Sequence, residues 1–246
     1  MKILFSCPII DIQYQWFMGF LQVQEQLKKY ETEFFFPYRQ PINTANEAMA
    51  ERALEGSFDY LLRMDDDIWD VPDDALEKLL IADKEFISCV SYASGFPYQR
   101  CAFRKANPLA SLIEIGQAQA GGLKETGGQG VKEVDMSAFP FTLIKTSVFK
   151  KIKPPWFNHT LTVPLDNFFC QALLDNGIQP YVHMDLQVTH RGIAYWNRWH
   201  RFISDAEFMI STGQFGPLHP QWNLYLDAKD KFASIYGNRE SALILV

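Results

Sequence analysis

The strongest constraint on the fold is an alternation near the start of the chain. Four short apolar runs, KILFSCPII (2–10), TEFFFPY (32–38), FDYLLRM (58–64) and EFISCVSYA (85–93), are separated by segments with helical spacing. The runs read as buried strands. Between the first two, Asp11 to Tyr30 carries Trp16, Phe17, Phe20, Leu21, Val23 and Leu27 at amphipathic positions. Residues 43–57 predict a helix capped by Asn43 or Thr44 and stopped at Gly56. In 69–83, Asp70, Pro72, Asp73 and Asp74 precede an apolar stripe, which are helix N-terminal signals. Strand and helix in turn over about 95 residues predict a parallel, doubly wound sheet.

The pattern then changes. Residues 96–132 read as irregular, and AGGLKETGGQG predicts a mobile loop or a hairpin. VKEVDMSAFPFTLIKTSVFKKI predicts a strand and a short helix, PLDNFFCQALLDNGI a helix closed by Gly177, and QPYVHMDLQVTH a further strand. With no repeat and no linker, the expectation is one α/β domain over 1–246, its residues 191–246 forming a loop and a helical tail. The chain of 246 residues is 48% hydrophobic, enough for a buried core. A net charge of −6 argues against non-specific nucleic-acid binding, which needs basic patches. The N-terminus is not expected to act as a signal peptide, and no apolar run is long enough to predict a membrane span. Cys7, Cys89, Cys101 and Cys170 are scattered with no CxxC pair, which predicts reduced thiols and a cytoplasmic setting.

Against this background the triplet Asp65-Asp66-Asp67, directly after the third strand, requires a cause. Adjacent carboxylates ~6 Å apart repel by roughly 0.7 kcal/mol per pair in water and about 3 at an effective dielectric of 20. Something cationic must compensate, or the stretch must be solvated. Ligands of open α/β sheets sit beyond the carboxyl ends of the strands. On an extended chain residues two apart point the same way, so Asp65 and Asp67 would face one point and suit a hard cation such as Mg2+ or Mn2+. An EF-hand does not fit, because Asp70 stands where its glycine is needed. Asp70, Asp73 and Asp74 are explained by the dipole of the following helix.

DYLLRMDDDIWDVPDDALEKLL resembles the DxD segment of GT-A glycosyltransferases, and EVDMSAFPFTLIKTSVFKKI, PPWF and PLDNFFCQALLDNGIQPYVHMDLQVTH resemble later segments of such enzymes in the same order. The resemblance covers residues 1 to about 192. It implies a Rossmann-like GT-A fold: a mostly parallel central sheet flanked by helices, with a small antiparallel acceptor-side portion. It also implies transfer of a sugar from a nucleotide-sugar donor, UDP-sugar favoured, to a glycan or other hydroxyl acceptor, with Mn2+ or Mg2+ as cofactor. On the matching positions Asp65, Asp67 and His190 would hold the metal. Asp66 would lie beside the ribose, and Pro8 and Asp11 would meet the base. Arg198 would assist the diphosphate. Asp166 would serve as catalytic base, as helix cap, or as both. Trp156 and Trp199 are open between sugar stacking and packing, and Phe157 reads as core. A sugar nucleotidyltransferase and a non-catalytic nucleotide- or glycan-binding module are the alternatives. The first lacks its usual basic, glycine-rich stretch, because PIIDIQYQ stands after the first strand.

Overall fold

A computed structural model describes residues 1–10, 12, 14–92, 100–117, 122–160, 163–190, 206, 210 and 216–227. The chain divides into two compact units, one made of Met1–Tyr92 with Arg100–His190 and one of Ala93–Gln99 with Arg191–Val246. In the second unit, the described residues include a helical turn over 222–227, where the Trp222 and Tyr225 rings lie 5.4 Å apart.

The first unit is built on a seven-stranded sheet. Its elements in chain order are β1 (Lys2–Ser6), α1 (Tyr14–Leu27), β2 (Glu31–Phe35), α2 (Ile42–Glu55), β3 (Tyr60–Met64), β4 (Ile68–Trp69), α3 (Ala75–Ala82), β5 (Phe86–Val90), β6 (Ala102–Lys105), α4 (Leu112–Gly116), β7 (Leu123–Glu125), β8 (Val131–Glu133), β9 (Met136–Ser137), β10 (Phe141–Lys145), α5 (Val148–Lys151), α6 (Leu165–Asp175), β11 (Tyr181–Gln187) and β12 (Thr189–His190). The sheet order is β2-β1-β3-β10-β5-β11-β8. β1, β2, β3, β5 and β11 run one way, while β10 and β8 run against their neighbours. The expected parallel, doubly wound start is therefore present, with β10 inserted antiparallel between β3 and β5. A three-stranded antiparallel sheet, β7-β6-β9, and the two-stranded ladder β12-β4 complete the unit. Among the described residues of the glycine-rich stretch and its flanks, β7 pairs with β6 and β8 with β11 rather than with each other.

Strand parity decides what each face holds. Ile3, Phe5, Leu62, Met64, Ile87, Cys89, Phe141 and Leu143 point to one face and pack with Trp16, Val23 and Leu27 of α1 and with Ala75, Leu76 and Leu79 of α3. Leu4, Leu61, Phe86 and Ile144 point to the other, against Met49, Ala50 and Ala53 of α2, Phe149 of α5 and Phe169 and Leu173 of α6. Two covered faces explain why these strands are continuous apolar runs. Arg63 shares its parity with Leu61 and therefore belongs to the α2/α6 face.

Helix ends differ in detail from the sequence signals. α1 begins at Tyr14 rather than Asp11, and α2 begins after Pro41 without a side-chain cap. α3 is capped from outside: Gln26 Oε1 accepts from the Leu76 N–H at 2.9 Å, and Gln26 Nε2 donates to the Pro72 carbonyl at 2.9 Å. Asp74 instead pairs with Lys78 one turn on, at 2.7 Å. Gly177 follows the end of α6 with φ +70°, the left-handed conformation that suits glycine there. The four cysteines are free, and three of them are buried. Among the described residues no helix is long and apolar enough to cross a membrane.

Candidate functional site

The acidic triplet closes β3 as a turn. Ile68 N–H donates to the Asp65 carbonyl at 3.3 Å, and Asp66 and Asp67 occupy the corner. This corrects the extended-chain alternation expected for Asp65 and Asp67: their placement follows from a tight turn before β4 and not from strand periodicity. The turn is held from three sides. Asp65 N–H donates to the Pro140 carbonyl at 3.1 Å, at the start of β10. Asp66 Oδ2 accepts the Ile10 N–H at 2.7 Å, beyond the end of β1. β4 pairs with β12, setting His190 opposite Ile68 and Thr189 opposite Trp69. The ladder thus brings the His190 backbone to within one residue of Asp67. Thr189 Oγ1 also donates to Asp70 Oδ2 at 3.4 Å.

Arg63 is the compensating cation. It lies two residues before the triplet, and its side chain is 3% exposed. Its guanidinium reaches Asp65 Oδ1 at 2.7 Å, donates from Nε to Asn46 Oδ1 at 2.7 Å, and bonds the Phe139 carbonyl. It also lies over the Phe139 ring, 5.5 Å from the centroid. Asn46, buried in α2, donates in turn to the Ile42 carbonyl at 2.6 Å. Asp65 is 27% exposed, so one side of the pair faces solvent. Sequence reasoning missed Arg63 and Asn46. The signal was present: an arginine in the centre of an apolar strand must be buried, and a buried guanidinium must be paired.

Asp166 sits in the first turn of α6. Pro164 holds the N-cap position and no side-chain cap bond is made, so the cap function open to Asp166 falls away. Desolvation pushes its carboxyl up to about 7, with the Arg63 guanidinium opposing and the Asp65 carboxylate adding to the rise. Asp166 therefore shares one electrostatic neighbourhood with Arg63 and Asp65. The next residue, Asn167, is buried and donates to the Leu112 carbonyl at 2.9 Å, fixing the start of α6 against α4.

Of the remaining expected residues, Pro8 is buried just past β1. The adjacent Ile9 bridges to Tyr38, extending the β1–β2 edge. Asp11, Arg198, Tyr195, Trp196 and Trp199 lie outside the described residues. Trp156 is core: its Nε1 donates to the Phe149 and Ile152 carbonyls at 3.1 and 3.0 Å. Phe157 is also core, stacked on Phe169 with centroids 4.5 Å apart.

Among the described residues, no three of His, Cys, Asp and Glu gather as a metal cluster. Mg2+-type ions are commonly held by one or two carboxylates and substrate phosphate rather than by a full protein cage. The all-oxygen donors of Asp65 and Asp67 at a half-buried strand end fit that pattern.

Sheet order, helices on both faces and the small antiparallel sheet define a mixed α/β protein of the Rossmann-like GT-A architecture. The chain is similar in structure to A197 from STIV, with a TM-score of 0.51 at 18% identity over 78% of this chain and 86% of that one. It also overlaps GalNAc-T7, solved with UDP, GalNAc and Mn2+, with a TM-score of 0.46 at 11% identity. That overlap covers 93% of this chain and 54% of the other, so this chain spans about half of GalNAc-T7, and the fit is too loose to bear on the site. No family model matches the chain, and no curated protein matches it.

Proposed function

We propose that this chain is a metal-assisted glycosyltransferase that moves a sugar from a nucleotide-sugar donor, a UDP-sugar in the favoured case, to a hydroxyl of a glycan or small acceptor. The observation that carries this reading is the buried Arg63–Asp65 ion pair at the carboxyl edge of the sheet, 2.7 Å between guanidinium and carboxylate, with the desolvated Asp166 carboxyl within electrostatic reach of both. An acid kept near neutrality beside a paired carboxylate suits a base that must take a proton from an acceptor hydroxyl.

In this reading Asp65 and Asp67 hold Mn2+ or Mg2+, with His190 as the further ligand. The bound ion supplies charge stabilisation to the departing diphosphate. Asp66 fixes the Ile10 backbone, which shapes the edge where Pro8 and Asp11 would meet the base. Asp166 accepts the proton of the attacking hydroxyl.

The test is a panel of UDP-, GDP- and dTDP-sugars with and without Mn2+, read as nucleotide release. Metal-dependent release of nucleoside diphosphate supports transfer. Release of pyrophosphate from a nucleoside triphosphate and a sugar phosphate identifies a nucleotidyltransferase, and binding without release a non-catalytic module. Asp166→Asn is expected to keep donor binding and lose transfer. Full transfer by that variant removes Asp166 from the role of base.

A further inference from the structure

A permanently charged guanidinium already occupies the triplet. Arg63 engages Asp65 Oδ1 at 2.7 Å and is locked there by Asn46, the Phe139 carbonyl and the Phe139 ring. Asp66 is partly committed as well, since its Oδ2 takes the Ile10 N–H at 2.7 Å. At least two of the three acids therefore carry a bonded oxygen before any ligand arrives. Arg63 cannot step aside as a surface lysine would: it is 3% exposed, and leaving Asp65 would move a buried charge.

A dication on Asp65 must share that carboxylate with a fixed monocation. Their repulsion is worth on the order of tenfold in affinity even at a water-like dielectric. A diphosphate carries enough negative charge to reverse that balance, because it attracts both cations at once. We propose that Arg63 is a positioning residue that half-neutralises Asp65, so that the site retains a divalent metal only together with a diphosphate. This rests on the nucleotide-sugar reading above. The coupling is reciprocal: metal and nucleoside diphosphate each tighten the binding of the other.

The experiment is calorimetric titration of Mn2+ into the full chain, alone and with saturating UDP, for the wild type, Arg63→Met and Arg63→Lys. Wild type is expected to bind Mn2+ alone weakly and to gain at least about tenfold in Mn2+ affinity with UDP. Arg63→Met is expected to bind Mn2+ alone about tenfold more tightly than wild type and to lose most of the coupling to UDP. Arg63→Lys keeps the charge and is expected to resemble wild type. Loss of packing alone would weaken metal binding, so a gain of affinity separates the electrostatic role from a structural one. Circular dichroism checks that each variant is folded. If Arg63→Met does not fold, the wild-type coupling decides. Mn2+ binding to wild type that is equally tight with and without UDP overturns the inference and leaves the nucleotide-sugar reading standing. No Mn2+ binding to wild type in either condition overturns that reading and the inference with it.

Discussion

Asp65 and Asp67 belong to one turn, yet their loss is expected to have different consequences for the fold. Asp65→Asn leaves the buried Arg63 guanidinium with a neutral partner. A fully buried broken pair costs roughly 3–5 kcal/mol, and partial exposure of Asp65 lowers this to about 1–2. Asp67→Asn leaves the Arg63–Asp65 pair in place. Both are expected to abolish metal-dependent nucleotide binding while retaining a cooperative melt. Thermal denaturation beside nucleotide titration checks the pair, and unchanged binding in both variants would place the site elsewhere. At this scale the acids were legible because like charges in a row demand a cause. Arg63 was as legible in principle, since YLLRM puts a cation among residues that are buried from Leu61 onward. The Asp66–Ile10 bond was not, because it joins residues 56 apart and depends on how two strand ends meet.

At the scale of elements, α1 seats against β4 through Gly19. A Cβ there would stand 3.0 Å from Trp69 Cα, 3.3 Å from the Ile68 carbonyl oxygen and 3.3 Å from Met64 Cε. Alanine in a helix interior gains about 1 kcal/mol of propensity over glycine. Pressing on backbone typically costs roughly 1–3 kcal/mol. The net expectation for Gly19→Ala is a loss of about 1 kcal/mol, together with weaker nucleotide binding, because β4 directly follows the triplet. Urea denaturation measures the first effect; a stabilised variant would show that α1 lifts away freely. Gln26→Leu removes the external cap of α3 and is expected to cost about 1 kcal/mol in the same assay. The acids ahead of α3 pointed correctly to a helix start, but the cap came from another helix, which local sequence does not encode. α4 shows the reverse case. Ser111 and Glu114 form a full capping box, with Glu114 N–H donating to Ser111 Oγ at 3.1 Å and Ser111 N–H to Glu114 Oε2 at 2.9 Å. The S-x-x-E signal stood in the sequence, inside a region read as irregular because its helix is only five residues long.

For the whole molecule, the apolar runs and their helical spacers implied a doubly wound sheet, because burial on both faces leaves a compositional mark. The insertion of β10 left none: Phe141–Lys145 reads as a strand whichever neighbours it joins, and pairing with β3 and β5 is set by tertiary packing. Trp156, open in the sequence between sugar stacking and packing, is spent on the core together with Phe157 and Phe169. The cost of the site falls on overall stability. Asp166 has a folded-state pKa of about 7, above the ordinary carboxylate value of 3.8, chiefly because it is desolvated. A raised carboxylate pKa means that the folded state holds the proton more tightly than the unfolded chain does. Stability from this group is therefore unpenalised below about pH 4, falls as pH rises from there to about 7, and stays low above it. The full penalty is on the order of a few kcal/mol. Asp166→Asn removes a charge that the surroundings disfavour, so it is expected to melt close to wild type at pH 4.5 and above it at pH 8. At about 2–4 °C per kcal/mol for a chain of this size, the difference at pH 8 is expected to be about 5–10 °C. Melting curves taken from pH 4.5 to 8 check this, and a variant no more stable than wild type at pH 8 would mean that Asp166 is solvated in the folded state. A gain in stability joined to a loss of transfer is what separates a residue held in place for chemistry from one that holds the fold together.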